Sequence, residues 1–302
     1  MIELVEVSAR DGLQNEKTIL STADKVQLIE KAIAAGARRL EVASFVNPKL
    51  VPQMADAEAV IAALPRRDDV RTIGLVLNER GAGRALATSV DELGIVVAAS
   101  DVFGTANQGL DVDASLAMAG RVIEQARAAG RDAQVTISVA FGCPLSGAVD
   151  PARVVEMARR LAAFGPLEIA LADTIGVARP DEVSRLVAAV VEAVRPLPVR
   201  VHFHDTRGTG VANAVAAVAA GAVTVDASIG GTGGCPFAPG AAGNVASEDV
   251  TYALNGQMAV DVDALCAAAV WLNEKLQRTR TSAMTRAWLS ATQKEQSERK
   301  QA

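Results

Sequence analysis

Two histidines, His202 and His204, are the residues whose type and spacing most clearly suggest chemistry. They are the only histidines in the chain, and they lie at the end of an apolar, β-rich run that begins at Val199. Side chains two apart on a strand point to the same side, so two imidazole nitrogens can meet one ion. Two hydrogen-bonded interior histidines are the alternative interpretation. The paired spacing favours a metal site.

Oxygen ligands follow other β-rich runs of the chain. Asp11 comes after the first run, and Asn244 comes after the last. No cysteine stands near the histidine pair, so a thiolate-rich zinc site is disfavoured. Aspartate and asparagine oxygens are typical ligands of a harder divalent cation, Mg²⁺ or Mn²⁺.

A glycine-rich segment, residues 228–244, carries Cys235 at its centre. It contains six of the 24 glycines of the chain. Glycines let a backbone move and approach a ligand closely, and a thiol on such a loop can donate a proton to a reacting carbon. A small buried residue in a tight connection is the alternative. A phosphate-binding loop is less favoured, because no lysine follows these glycines.

Arg10 stands directly before Asp11, where a guanidinium can stabilise a developing enolate or bind a carboxylate. A structural salt bridge to Glu41 or Asp173, which belong to other β-rich runs, is the alternative. The residues alone leave both interpretations open.

Eight β-rich runs alternate with amphipathic helical stretches, and this alternation indicates what must position these groups. The candidate strands are residues 2–8, 39–43, 71–77, 92–98, 134–140, 167–172, 199–203 and 223–227. The candidate helices are residues 22–35, 54–63, 114–129, 151–164, 180–194 and 209–220, with two more at about 251–256 and 262–278.

This order predicts an α/β fold, a (β/α)8 TIM barrel with extra C-terminal helices, in which reactive groups collect at the carboxyl ends of the strands. An open doubly wound sheet is the alternative, but its usual early G-x-G-x-x-G turn is missing. We expect one barrel domain over residues 1–280 and a polar, loosely held tail over 281–302.

Composition limits the partners that we expect. The 302 residues carry 30 basic and 35 acidic side chains, a net charge of −5, which argues against nucleic acid. Three cysteines far apart suggest neither a disulfide scaffold nor a zinc site, and favour a reducing, cytoplasmic location. No run predicts a membrane span or an export signal.

Six stretches, in order along nearly the whole chain, resemble the hydroxymethylglutaryl-CoA lyases, which belong to a larger group of metal-dependent barrel lyases and acyltransferases related to isopropylmalate synthase. The stretches are residues 5–17, 40–56, 137–147, 168–177, 201–213 and 230–252. The combination is far more specific than any one motif.

The resemblance implies retro-Claisen-type cleavage of an acyl-CoA, 3-hydroxy-3-methylglutaryl-CoA, to acetyl-CoA and acetoacetate, as in leucine degradation and ketone body formation. It implies a divalent cation on Asp11, His202, His204 and Asn244, with Asp11 or a histidine as the base. We also expect a homo-oligomer, a dimer or a tetramer.

The same resemblance implies roles for other residues. Arg10 would stabilise the thioester enolate, and Cys235 would protonate the acetyl-CoA carbanion. Glu41 would orient Arg10, Asp173 would hold water molecules near the cation, and Lys17 would lie near the CoA.

Two positions depart from the animal members, which carry tyrosine in place of Arg207 and proline in place of Ala9. Arg207 adds positive charge near the histidines, where it could bind a different acyl carboxylate. A lyase for isohexenylglutaryl-CoA or citramalyl-CoA is therefore an alternative. A synthase that condenses acetyl-CoA with a 2-oxo acid is less favoured, because such enzymes usually carry a long C-terminal regulatory extension. A non-catalytic binding protein would lack the metal ligands and the thiol.

Overall fold

Eight parallel strands pair in chain order, and β8 pairs with β1 to close a barrel. The computed structural model describes residues 1–234 and 243–301, with side chains up to residue 294. The strands are β1 Glu3–Glu6, β2 Arg39–Ser44, β3 Arg71–Val76, β4 Glu92–Ala98, β5 Asp132–Ser138, β6 Ile169–Asp173, β7 Val199–Phe203 and β8 Thr224–Ala227. The predicted barrel is confirmed, and the open sheet is wrong.

The first strand ends earlier than its apolar pattern suggests. The prediction extends it over residues 2–8, but β1 ends at Glu6 and the chain enters a π-helical turn, Ser8–Gly12. The amide of Gly12 donates to the carbonyl of Val7 over 3.1 Å, which closes this wide turn. Arg10 and Asp11 therefore lie on a tight turn at the barrel rim rather than on a strand.

Helices cover the outside of the barrel. They are α1 Thr22–Ala34, α2 Ala57–Ala63, α3 Glu79–Leu86, α4 Asp101–Gln108, α5 Val112–Ala128, α6 Pro151–Ala162, α7 Pro180–Val194, α8 Gly210–Ala219, α9 Ser247–Ala253, α10 Val262–Leu276 and α11 Ala283–Gln301. The sequence patterns missed α3 and α4, which have eight residues each and contain glycine. The side chains of Asn78 and Ser100 cap their first turns and offset that weak propensity.

The expectation of a loosely held tail over 281–302 is wrong where α11 begins. Thr285 is fully buried, and its hydroxyl donates to Glu248 over 2.9 Å. The amide of Met284 donates to Asp249 over 2.7 Å. These bonds join α11 to α9 because buried polar groups need partners.

Charged residues cross the interior of the barrel, whereas apolar residues fill the layer between strands and helices. Arg39 on β2 contacts Glu92 on β4 and Glu168 just before β6, each at 2.6 Å. Arg200 on β7 lies 3.3 Å from Glu168. These strands are not all neighbours, so the ion pairs span the barrel.

Among the helices of the described residues, none is long and apolar enough to cross a bilayer.

Candidate active site

Three side chains turn their ligand atoms toward one point at the carboxyl end of the barrel. Asp11 Oδ2 lies 3.9 Å from His202 Nε2 and 3.7 Å from His204 Nε2. The ligand atoms of the three residues all lie within 4.8 Å of one another. This arrangement has the size and the donor types of a divalent cation site.

Asn244 completes the group from the segment after β8. His204 and Asn244 form an isolated antiparallel bridge, which brings the asparagine beside the histidines. Its Nδ2 donates to Asp11 Oδ2 over 2.7 Å, while its Oδ1 is buried without a hydrogen-bond partner. A half-turn of the amide would exchange these two atoms and direct the oxygen toward a cation beside Asp11. The unpartnered oxygen therefore fits a metal ligand.

The protonation states at neutral pH also fit a cation. Burial alone would raise the pKa of Asp11, but the charges of Arg10, His202 and His204 and the bond from Asn244 hold it below its usual range. Burial lowers the pKa of His204 to about 4. A carboxylate and a neutral imidazole are the forms that bind metals.

His202 has a second partner that the sequence analysis missed. Its Nδ1 lies 3.1 Å from Asp226 Oδ2 on β8. Burial works to lower the pKa of His202, but the bond to Asp226 and the negative charges of Asp11 and Asp226 raise it. The alternation of side chains on β8 was the available signal, because it places a carboxylate inside an otherwise apolar strand.

Arg10 is held by two carboxylates. Its Nε donates to Glu41 Oε2 over 2.6 Å, and its Nη1 donates to Asp11 Oδ1 over 2.5 Å. Burial raises the pKa of Glu41, and the charge of Arg10 opposes that shift. The guanidinium thus sits beside the ligand cluster in a fixed orientation, as the expected role of Glu41 requires.

Asp173 is not part of the cluster. Its two oxygens accept from the amides of Val177 and Ala178 over 3.0 and 2.9 Å, so it holds the loop after β6. Burial raises its pKa. Thr174, the next residue, lines the cavity instead.

Lys17 and Arg207, the other two basic residues discussed from the sequence, both lie at exposed positions. Lys17 is exposed on the turn that follows the π-helical turn. Arg207 is exposed, and its Nη1 donates to the carbonyls of Ile175 and Gly176 over 3.3 and 2.8 Å. Arg207 is not among the residues that line the cavity, so the expectation that it adds an acyl-carboxylate site there is not supported.

Cys235 lies outside the described residues. Gly234, just before it, lines the cavity and accepts a hydrogen bond from Asn15 over 2.9 Å. The other two cysteines are buried and do not belong to the cluster. Cys143 accepts from the amides of Leu145 and Ser146 and donates to the hydroxyl of Ser100, and Cys266 lies in α10.

The cavity above the cluster has two kinds of wall. Leu75, Leu77, Val96 and Phe103 form an apolar side. Thr136, Ser138 and Thr174 add hydroxyl groups. A small ligand with an apolar branch and polar oxygens can be bound here, with one oxygen at the ligand cluster and another beside Arg10.

Comparison with known proteins places this geometry among CoA-ester lyases. The family model described as HMGL-like matches residues 1–277. The (R)-citramalyl-CoA lyase of Chloroflexus aurantiacus is 41% identical over 290 residues, 92% of each chain. The hydroxymethylglutaryl-CoA lyase of Pseudomonas mevalonii is 41% identical over 281 residues, 91% of this chain and 92% of that one.

Two further proteins bear on the substrate. A 3-hydroxy-3-isohexenylglutaryl-CoA/hydroxymethylglutaryl-CoA lyase of Pseudomonas aeruginosa is 43% identical over 267 residues, 87% of this chain and 89% of that one. A solved HMG-CoA lyase of Acinetobacter baumannii, in complex with coenzyme A and 3-methylmalate, superposes with a TM-score of 0.90 at 36% identity, over 95% of each chain.

Proposed function

The chain belongs to the HMGL-like family of lyases, and from that premise we propose that it cleaves 3-hydroxy-3-methylglutaryl-CoA to acetyl-CoA and acetoacetate. The observation that carries the proposal is the cluster of Asp11, His202 and His204 with Arg10 at its side. The relatives support an acyl-CoA substrate, and the donor set supports a divalent cation, Mg²⁺ or Mn²⁺.

Four residues would hold the cation: Asp11, His202, His204 and Asn244. When bound, it would lower the pKa of the substrate's tertiary hydroxyl and orient that group. His202, His204 and Asn244 are buried, which suits this purpose because charge interactions are stronger in a site of low dielectric constant.

The cleavage can be followed through the residues of the chain. The tertiary hydroxyl gives its proton to Asp11, because the Nε2 lone pairs of His202 and His204 are reserved for the cation in this proposal. The new carbonyl forms as the C–C bond breaks, and the electron pair of that bond moves onto the thioester. Arg10 then stabilises the enolate oxygen, and Glu41 keeps the guanidinium in place.

Cys235 supplies the proton that completes acetyl-CoA in this proposal. We expect Cys235→Ser to bind Mn²⁺ as tightly as the unchanged protein and to lower kcat at least about 100-fold, because a hydroxyl is a far weaker acid than a thiol. Metal titration and steady-state kinetics check both parts. Near-normal turnover would remove the thiol from the mechanism.

Two alternative substrates, citramalyl-CoA and isohexenylglutaryl-CoA, must be distinguished from hydroxymethylglutaryl-CoA. Citramalyl-CoA and isohexenylglutaryl-CoA lyases are as similar in sequence as the hydroxymethylglutaryl-CoA lyases. Arg207, the residue that raised the question of another acyl carboxylate, is bonded to loop carbonyls instead. Among the described residues of the site, we find no contact that favours either alternative.

A panel of three CoA esters with added Mg²⁺ or Mn²⁺ tests the proposal. We expect acetyl-CoA release to be fastest from 3-hydroxy-3-methylglutaryl-CoA, with acetoacetate as the second product. A higher kcat/KM for citramalyl-CoA, with pyruvate as the second product, or for isohexenylglutaryl-CoA would reassign the substrate. Activity only in condensation with a 2-oxo acid would contradict the lyase.

Homo-oligomeric assembly and a cytoplasmic location stay predictions. A part in leucine degradation and ketone body formation follows from the proposed products alone. Measurement of the molar mass in solution tests the homo-oligomeric assembly.

A further inference from the structure

Among the described residues, Asp226 places a carboxylate against His202 at the ring nitrogen other than the one that faces Asp11. Its Oδ2 lies 3.1 Å from Nδ1 of His202, and both residues are buried, with 4% and 7% of their surfaces exposed. The other ring nitrogen, Nε2, faces Asp11. His202 thus stands between two carboxylates with one nitrogen toward each.

The sheet itself sets this contact. His202 on β7 and Asp226 on β8 are register partners in the parallel pairing of the two strands. Side chains at paired positions lie on the same side of the sheet and within reach of each other. The contact is therefore built into the barrel wall rather than carried by a loop.

A carboxylate at Nδ1 selects one form of a neutral imidazole. An ionised Asp226 only accepts hydrogen bonds, so the proton must sit on Nδ1 and the lone pair on Nε2. That is the form a histidine needs to bind a metal through Nε2. His204 offers a contrast, because its Nδ1 is buried without a partner in the described part of the chain.

The second oxygen of Asp226 is held from the opposite side. Asp226 Oδ1 lies 3.2 Å from Nε of Arg200, whose Nη1 lies 3.3 Å from Glu168. The buried guanidinium thus keeps a positive charge beside the carboxylate. Asp226 therefore joins the histidine to the ion pairs that cross the barrel.

We propose that Asp226 is a positioning residue of the metal site: it fixes His202 as the Nδ1–H tautomer and orients its Nε2 toward the cation. The proposal rests on the proposed function only for the statement that the site takes a divalent cation. Asp226 also lines the cavity, and the role that we propose for it acts through His202.

The tautomer can be measured in the unchanged, metal-free protein. The chain has only two histidines, so a long-range ¹H–¹⁵N correlation spectrum at pH 9 shows two imidazole patterns, and His204→Gln assigns them. We expect His202 to carry its proton on Nδ1. A proton on Nε2 would overturn the proposal, and this measurement needs no variant of Asp226.

Metal affinity provides the second test. Mn²⁺ titration followed by electron paramagnetic resonance is expected to show binding weakened about 10- to 100-fold in Asp226→Ala. Asp226→Asn is expected to lose less, because its amide oxygen still accepts from Nδ1–H. Equal affinity in Asp226→Ala and the unchanged protein would overturn the proposal.

Glu168→Gln is the matched control, because it disturbs Arg200 without touching His202. We expect its Mn²⁺ affinity to stay within about threefold and its His202 pattern to stay unchanged. A loss equal to that of Asp226→Ala would show that the ion network, and not the contact with His202, decides affinity. Failure of the unchanged protein to bind Mn²⁺ would contradict the proposed function but not the tautomer.

Discussion

His204 shows at the scale of one residue how burial prepares a ligand. Its ring is 4% exposed, burial lowers its pKa to about 4, and its Nε2 faces Asp11. The imidazole therefore stays neutral at the pH of a cell, with a lone pair available to a cation. The bond of His202 to Asp226 acts in the opposite direction, because it raises the pKa of that ring.

We expect His204→Ala to lose metal binding and activity together. Removal of the ring takes one nitrogen ligand from the site and leaves space beside Asp11, so the Mn²⁺ Kd should rise at least about 100-fold. Isothermal titration measures it. Unchanged affinity would refute the assignment of His204 as a ligand.

Arg10 and Glu41 show why a residue's neighbours matter as much as its type. The sequence left Arg10 open between a catalytic cation and a structural ion pair. In the structure the guanidinium is bonded to Glu41 and Asp11 and also lines the cavity, so the ion pair is present and the catalytic role stays a prediction. The pairing restricts its orientation, which is what stabilisation of an enolate requires.

At the scale of elements, the π-helical turn Ser8–Gly12 decides where Arg10 and Asp11 lie. Gly12, its last residue, packs against Ser228 and Thr232, which lie on either side of a short 3-10 turn after β8. A Cβ at Gly12 would collide with the hydroxyl of Thr232 and would come within 2.8 Å of the hydroxyl of Ser228. The absence of a side chain lets the two rim segments approach each other.

We expect Gly12→Ala to push these segments apart and to displace Asp11. Mn²⁺ affinity should fall at least about tenfold, and the free energy of unfolding should fall by about 1–3 kcal/mol. Gly83→Ala is the control, because Gly83 is exposed on α3 with nothing within 4 Å of its Cβ position. It should leave Mn²⁺ binding unchanged and add up to about 1 kcal/mol of stability. Equal Mn²⁺ affinity in the two variants would contradict this account.

Glu6, the last residue of β1, joins the π-helical turn to the segment after β8 and to the start of α9. Its carboxyl accepts from the amides of Ser8 and Ile229 over 2.9 and 3.1 Å and from the hydroxyl of Ser247 over 2.5 Å. Burial raises its pKa from 4.5 to about 7, although these bonds oppose the shift. The folded chain therefore holds this proton more tightly than the unfolded chain.

This raised pKa makes the stability of the folded chain fall as the pH rises. The stabilising contribution of the Glu6 proton is complete below pH 4.5 and is lost as the pH rises through 7. The loss should be on the order of 3 kcal/mol. Urea unfolding between pH 5 and 8.5 should show that the unchanged protein loses stability relative to Glu6→Gln. Parallel pH curves for the two proteins would contradict the raised pKa.

At the scale of the molecule, the barrel encloses buried charges beside apolar side chains. Arg39 neutralises Glu92 and Glu168, which are both almost fully buried. An ion pair in such a place is costly to break, because the remaining charge has no water to replace its partner.

Arg39→Leu is expected to lower the free energy of unfolding by roughly 3 to 5 kcal/mol. Arg67→Leu, which breaks an exposed pair with Asp69, should leave the urea midpoint nearly unchanged. A similar small effect in both variants would show that the interior ion pairs contribute little.

Local patterns in the sequence were sufficient for the architecture. The alternation of β-rich and helical runs predicted the closed barrel, because period-2 and period-3.6 patterns are properties of neighbouring residues. The same alternation put His202 and His204 on one face. The short helices α3 and α4 escaped because glycines weaken their pattern, and α11 escaped because its polar composition hides a few anchoring residues.

The closure of the barrel and the register of its strands set the long-range contacts of the site, which no local sequence pattern contains. The distance from Asp11 to the histidines joins residues about 190 positions apart, and it exists only because β1 pairs with β8 and β8 with β7. The same pairing puts Asp226 against His202. Asp173 was expected near the cation from the resemblance, and Arg207 was left open between an acyl carboxylate and a nearby acid, yet the hydrogen bonds of both side chains go to loop backbone.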